Sequence, residues 1–139
     1  MTIFGDIAQT FSSTFQSVVS VAANQPRKIA ASLVNNTQQT LTWVDSGVDH
    51  GKRSDHAPDT IGPGDTGKWG IRSDGIQTGC EGWMEWRISD DGPIVRLDYN
   101  NPYFGSNSYF CDVNSAKYTV DWEGGKGDEA TVKFILSNK

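Results

Sequence analysis

The residues best suited to chemistry are concentrated between positions 49 and 59. Two histidines, His50 and His56, lie there among aspartates, and imidazole and carboxylate groups serve as metal ligands and proton carriers. No helical period aligns the two histidines, however, and the pattern places no third ligand. The segment is rich in turn formers, which favours a solvated loop. We therefore expect no metal site, no cofactor and no catalytic centre.

Overall charge narrows the classes of partner. The chain of 139 residues carries 12 Lys and Arg against 17 Asp and Glu, a formal net charge of −5. No basic face stands out, which argues against nucleic acid as a partner and against simple electrostatic attraction to anionic lipid. A membrane-binding protein of this composition has to recognise a specific headgroup or insert apolar atoms.

The cysteines and the N-terminus give information on the cellular compartment in which the protein acts. The two cysteines, Cys80 and Cys111, are too few for a disulfide scaffold. Either one disulfide bridge or two buried thiols would be consistent with the sequence. We favour two thiols because nothing else in the sequence indicates an oxidising compartment. The N-terminus lacks the features of a secretory signal. We expect that the protein is secreted or released by another route and acts at target-cell membranes.

Residues 1–26 are predicted to form an amphipathic helix that precedes the domain at 27–139. Apolar residues recur there at spacings of three and four, and Pro26 ends the pattern. The apolar residues are Ile3, Ile7, Phe11, Phe15, Val18, Val19 and Ala22. Three roles fit this helix: packing across the domain, lying in a membrane interface, or making an oligomer contact.

From Arg27 onward the hydrophobic period changes to two, which is typical of β-strands. The clearest case is 81–88, where Met84, Trp86 and Ile88 lie on one side and Trp83, Glu85 and Arg87 lie on the other. Seven or eight such segments, separated by turns, predict an all-β antiparallel sandwich. Trp43, Trp86 and Trp122 fall in these segments and are expected in the core or on a sheet face.

The uncharged segment NNPYFGSNSY at 100–109 is too rich in turn formers for a helix and too aromatic for an ordinary linker. Tyr103 and Phe104 follow Pro102 in a predicted loop. Exposed aromatic residues suit a lipid interface or a headgroup pocket, although a loop that plugs the core fits the composition nearly as well.

Several segments in the same order resemble the aegerolysin family, most closely its bacterial branch, which includes the small component of binary insecticidal toxins. They are RKIAASLVNNTQQTLT at 27–42, IGPGDTG at 61–67, SDGIQTGCEG at 73–82, YNNPYFGSNSY at 99–109 and GGKGDEATVKFIL at 124–136. The resemblance implies a non-catalytic β-sandwich that recognises sphingolipid headgroups, notably ceramide phosphoethanolamine, or sphingomyelin with cholesterol. It also implies a targeting role in a two-part cytolysin whose larger, perforin-like partner forms the pore.

The same resemblance suggests a lipid-binding site. A tryptophan that fungal members place before a Gly-Lys pair is matched by His50, before Gly51 and Lys52, and a family lysine is matched by Asn107. Asn107 is expected to donate to a phosphate, and Asp74 or Glu81 to pair with an ammonium group. Tyr103 and Phe104 are the predicted membrane anchors. Tyr99 and Tyr109 bound the aromatic segment and complete the predicted site.

Two other functions fit the sequence. The N-terminal helix and the segment PRKIAASLVNN at 26–36 loosely resemble the actinoporins, which would imply a self-sufficient pore former. A carbohydrate- or protein-binding β-sandwich is the third interpretation, because a fold does not fix a function.

Overall fold

The computed structural model describes residues 26–139, so the predicted N-terminal helix lies outside the described residues. The described part of the chain is all-β. Its strands are β1 (Lys28–Asn36), β2 (Leu41–His50), β3 (Lys52–Asp55), β4 (Thr60–Ile61), β5 (Thr66–Arg72), β6 (Cys80–Ile88), β7 (Ile94–Asn101), β8 (Ser108–Val113), β9 (Tyr118–Gly124) and β10 (Glu129–Asn138).

These strands form two five-stranded sheets, which we call sheet A, with the order β3-β5-β1-β10-β9, and sheet B, with the order β4-β2-β6-β7-β8. Strand pairs are antiparallel except for β1 and β10, which run parallel from Lys28↔Glu129 to Asn36↔Ser137. The predicted all-β architecture is confirmed. The prediction that it is wholly antiparallel is wrong at this one pair, because pairing direction depends on which distant strands meet.

The predicted number of strands, seven or eight, is too low for the ten that residues 26–139 form. The additional strands β3 and β4 come from 45–66, where the sequence indicates turns and charges. Every residue of β3 is exposed, and β4 has only two residues. Hydrophobic alternation reveals strands with one buried face, so it misses short edge strands.

The core lies between the sheets and follows the predicted alternation. In β6 every second residue from Cys80 to Ile88 is buried, and in β10 the same holds for Ala130, Val132 and Phe134. Trp86 is completely buried, whereas Trp43 and Trp122 are 40% and 42% exposed. These two exposed indoles are therefore available to ligands.

Both cysteines are free thiols, as the sequence analysis favoured. Burial raises the pKa of Cys80 to about 12 and that of Cys111 to about 11. Cys80 donates a weak hydrogen bond to the carbonyl of Arg27, with 3.6 Å between sulfur and oxygen. Both side chains therefore remain protonated near neutral pH and act as packing groups.

Candidate functional site

Several connections meet at one end of the sandwich, which we call the loop end. They are the start of β1 at Arg27, the β2–β3 turn, the β5–β6 loop, the β7–β8 loop and the β9–β10 loop. The strand registers require this arrangement, since Lys28 pairs with both Arg72 and Glu129 in sheet A, and Cys80 pairs with Asn101 in sheet B. Almost all of the predicted site residues are therefore brought to one end of the molecule.

The β7–β8 loop carries the most exposed aromatic side chain of the described residues. Phe104 is 83% exposed, and its ring meets the Tyr103 ring edge to face at a centroid distance of 4.7 Å. The Arg27 guanidinium lies 4.6 Å from the centroid of the Tyr103 ring and donates a hydrogen bond of 3.2 Å to the Tyr103 carbonyl. Tyr103 is thus held in place, and it presents Phe104 to solvent.

A second exposed apolar residue, Ile76, lies on the β5–β6 loop and is 72% exposed. This loop packs against the start of the β7–β8 loop at Gly79, where an added Cβ would lie 2.6 Å from the Asn101 carbonyl oxygen and 2.7 Å from the Pro102 Cα. Only glycine allows this approach. Ile76 was not in the predicted site, although an apolar residue between Gly75 and Gln77 was a usable signal.

Asn107 and Tyr109 connect the β7–β8 loop to the β9–β10 loop. The amide nitrogen of Asn107 donates to the carbonyls of Gly125 and Gly127 at 2.8 and 2.9 Å, and the Tyr109 hydroxyl donates to Gly125 at 2.8 Å. These bonds use both amide hydrogens of Asn107. The expectation that Asn107 donates to a phosphate therefore does not fit this geometry, and its role is to position the loops.

Between these two loops lies a pocket of about 370 Å³, which we call the loop-end pocket. Its charged and aromatic lining residues are Arg27, Tyr103, Tyr109, Trp122, Lys126 and Asp128. Arg27 forms an ion pair with Asp128 at 3.4 Å, and the Arg27 side chain is only 13% exposed. Burial raises the pKa of Tyr109 to about 12, so its hydroxyl stays neutral. The pocket thus combines both signs of charge with aromatic surface.

The remaining predicted site residues form two side-chain pairs beside the β2–β3 turn, an ion pair between Lys52 and Asp74 and a contact between His50 and Glu81. His50 lies 3.7 Å from Glu81, and Lys52 lies 3.6 Å from Asp74. All four side chains are substantially exposed, so each pair contributes little to stability. Because the carboxylates already have partners in the protein, a ligand ammonium group has to compete with them.

Tyr99 does not belong to this surface. Its side chain is 2% exposed, and its hydroxyl accepts a hydrogen bond of 3.0 Å from the indole nitrogen of Trp69. In β7 every second residue faces the core, and Tyr99 has the same parity as the buried Val95 and Leu97. Its place in the predicted site is corrected: Tyr99 is a core residue beneath the loop end.

Two general findings limit the kind of site. Among residues 26–139, no group of three or more His, Cys, Asp or Glu side chains is placed to hold a metal ion. In the same range, no helix has the length and apolar character needed to cross a membrane.

The fold and the site define a β-sandwich whose loops at one end surround a pocket. The sequence of residues 27–138 matches the aegerolysin family, so the chain belongs to that family. No curated protein sequence matches the chain.

Solved structures support the fold. The chain is similar to the lipid-binding protein Nakanori, with a TM-score of 0.72, 12% identity and coverage of 96% of this chain and 82% of that one. It is also similar to RahU protein, solved in complex with a TRIS molecule, with a TM-score of 0.68, 14% identity and coverage of 81% and 96%. At these identities the likeness concerns the fold alone.

Proposed function

We propose that this protein binds membranes through its loop end and recognises the zwitterionic headgroup of a sphingolipid. The headgroup is ceramide phosphoethanolamine, or sphingomyelin in the presence of cholesterol. The site of action is the membrane of a target cell, which the protein reaches after secretion or release.

The observation that carries this proposal is the exposure of Phe104 and Ile76 on two loops that pack together. Exposure of an apolar side chain to water costs free energy, and these two side chains lie at a single end of the molecule beside a pocket. A protein of net charge −5 gains no general attraction to anionic lipid. Insertion of apolar atoms is therefore the available means of membrane attachment, as in interfacial proteins.

The loop-end pocket suits a group with both charges. The cationic side chains of Arg27 and Lys126 favour a phosphate, while Asp128 and the faces of Tyr103 and Trp122 favour an ammonium group. Phosphoethanolamine and phosphocholine carry both groups a few bonds apart. The exposed pairs His50–Glu81 and Lys52–Asp74 lie at the same end, where neighbouring headgroups compete for their polar groups.

Comparison with known proteins supports the same function. The chain belongs to the aegerolysin family, and Nakanori, which shares the fold, is described as a lipid-binding protein. We extend the proposal to a targeting role: the protein binds the membrane, and a larger perforin-like partner forms the pore. The bacterial insecticidal toxins are the assemblies of this kind that its sequence resembles.

Sedimentation with liposomes tests the proposal. The vesicles contain ceramide phosphoethanolamine, sphingomyelin with cholesterol, phosphatidylcholine alone, or phosphatidylserine in phosphatidylcholine, and each is scored for binding and for dye release. Selective binding to a sphingolipid without release is the expected result. Release by the protein alone would indicate a self-sufficient pore former, and no binding to either sphingolipid would refute the proposal.

A further inference from the structure

A second pocket lies away from the loop end, on the open side of the sandwich between β2 of sheet B and β3 of sheet A. Its volume is about 380 Å³, within the range of roughly 300–1,000 Å³ that is usual for small-ligand sites. We call it the edge pocket. It is lined by Trp43, Asp45, Ser46, Arg53, His56 and Asp59, with Ala57 and Met84.

Two backbone features form the edge pocket. Residues 56–59 cross from the end of β3 in sheet A to the start of β4 in sheet B, and they close one side of it. The pairing of β2 with β6 shifts between Trp43 and Asp45, as at a β-bulge. Across this shift Trp43 pairs with Trp86 and Ser46 pairs with Met84, so these two residues, three positions apart, share one face of β2 and line the pocket.

The polar side chains of the edge pocket have few partners within the protein. The Arg53 guanidinium donates one hydrogen bond of 3.0 Å to the Ser46 hydroxyl, and Asp45 accepts one of 2.8 Å from the Ser46 backbone nitrogen. Within residues 26–139, no hydrogen bond or ion pair involves the side chains of His56 or Asp59. These groups are exposed and able to bind a ligand.

The charges select among ligand classes. Asp45 and Asp59 disfavour a bound anion, and Arg53 disfavours a bound cation; unlike the loop-end pocket, the edge pocket has no second Arg or Lys in its lining to hold a phosphate. A neutral polyol meets neither obstacle, because its hydroxyls donate to the carboxylates and accept from the guanidinium. The 40% exposed indole of Trp43 adds a flat apolar surface of the kind that packs against the C–H face of a sugar ring. We propose that the edge pocket is a binding site for a neutral saccharide.

This inference does not rest on the proposed function. Trp43 precedes His50 by seven residues on β2, and a strand rises about 3.3 Å per residue, which places the indole roughly 20 Å from the loop end. Arg53, next to Lys52, is nearer to the loop end, but Trp43 and the adjacent Asp59 remain accessible when the loop end is occupied. A protein bound to a membrane through its loop end would keep the edge pocket open to glycans on the same surface.

Saturation-transfer NMR with the full chain tests the proposal. The probes are glucose, galactose, mannose, N-acetylglucosamine and N-acetylgalactosamine, each at about 10 mM so that even millimolar affinity is detected. We expect saturation transfer to at least one sugar and a loss of affinity of about tenfold in Trp43→Ala, with a similar loss in Asp59→Asn. Asp59 is exposed and its side chain has no partner among the described residues, so Asp59→Asn keeps the fold even if Trp43→Ala does not.

Trp122→Ala is the matched comparison, since Trp122 is 42% exposed but lines the loop-end pocket. It should leave saturation transfer unchanged, while liposome binding by Asp59→Asn should equal that of the unaltered protein. No transfer to any of the sugars would overturn the proposal. So would a loss that follows Trp122→Ala and spares Trp43→Ala and Asp59→Asn, because the sugar would then lie at the loop end.

Discussion

Removing the two exposed apolar side chains of the loop end, in the variant Phe104→Ala/Ile76→Ala, should weaken membrane binding about 100-fold. Complete burial of a side chain of this size stabilises by roughly 1.5–3 kcal/mol. Phe104 is 83% exposed and Ile76 72% exposed, so most of their area is free to transfer into lipid. Since insertion at an interface is partial, we take the lower value for each. The total is about 3 kcal/mol, or about two factors of ten in the dissociation constant.

Liposome titrations with tryptophan fluorescence, together with sedimentation, measure this effect on sphingolipid vesicles. The matched control is Phe110→Ala/Val44→Ala, which also removes one phenyl and one aliphatic side chain from exposed positions, 56% and 37% exposed, but from strands β8 and β2. Thermal unfolding shows whether each variant folds. If the Phe104→Ala/Ile76→Ala variant folds and binds lipid with the same affinity as the unaltered protein, insertion through the loop end is refuted. If the control variant loses as much lipid affinity, the effect is unspecific.

Three further predictions concern the groups that support the site. Asn107→Ala removes two hydrogen bonds between the β7–β8 and β9–β10 loops. The substitution should lower the free energy of unfolding by about 1–2 kcal/mol and weaken lipid binding. Full lipid affinity of this variant in liposome sedimentation would argue against a positioning role of Asn107. Tyr99→Phe leaves the Trp69 indole nitrogen without its hydrogen-bond acceptor. The free energy of unfolding, measured by urea denaturation, should fall by about 1–3 kcal/mol, while lipid affinity stays unchanged. A loss of lipid binding without a loss of stability would show that Tyr99 belongs to the lipid site. Burial raises the pKa of Cys80 from 9.0 to about 12 and that of Cys111 from 9.0 to about 11. Above pH 9 the unfolded chain therefore releases thiol protons that the folded protein retains. Stability should hold up to about pH 8 and fall above pH 9. Urea denaturation at both pH values checks this sign, and Cys80→Ala/Cys111→Ala should show a smaller fall.

Much of the fold could be predicted from hydrophobic alternation. The two faces of β6 were separated correctly, and the face with Met84, Trp86 and Ile88 is the buried one, because a strand with one face in the core has a sequence period of two. The same reasoning failed for β3, since every residue of that edge strand is exposed. It also could not reveal the parallel pairing of β1 with β10, which joins segments from opposite ends of the domain.

For the candidate site, the residue types in the sequence indicated which segments contribute, but the sequence did not indicate where each side chain points. The composition of the uncharged aromatic segment fitted both an exposed loop and a loop that plugs the core, and the structure shows that Phe104 is exposed. Tyr99, directly before this segment, is buried in the core, and Asn107, within it, donates both amide hydrogens to the backbone of a neighbouring loop. Ile76 was missed, since its position beside the β7–β8 loop depends on the close approach of Gly79.

The amino-acid sequence by itself determined which segments become strands, which faces of them are buried and which loop carries uncharged aromatic residues. Those properties follow from local chemistry, because alternation and turn formers act over a few neighbouring residues. The tertiary structure decided which loops share an end, so that Arg27 lies on Tyr103 and Asn107 binds the β9–β10 loop. It also decided that a bulge in β2 and the crossing at 56–59 enclose an edge pocket. Such juxtapositions join residues far apart in the chain, and they arise only when the two sheets pack face to face.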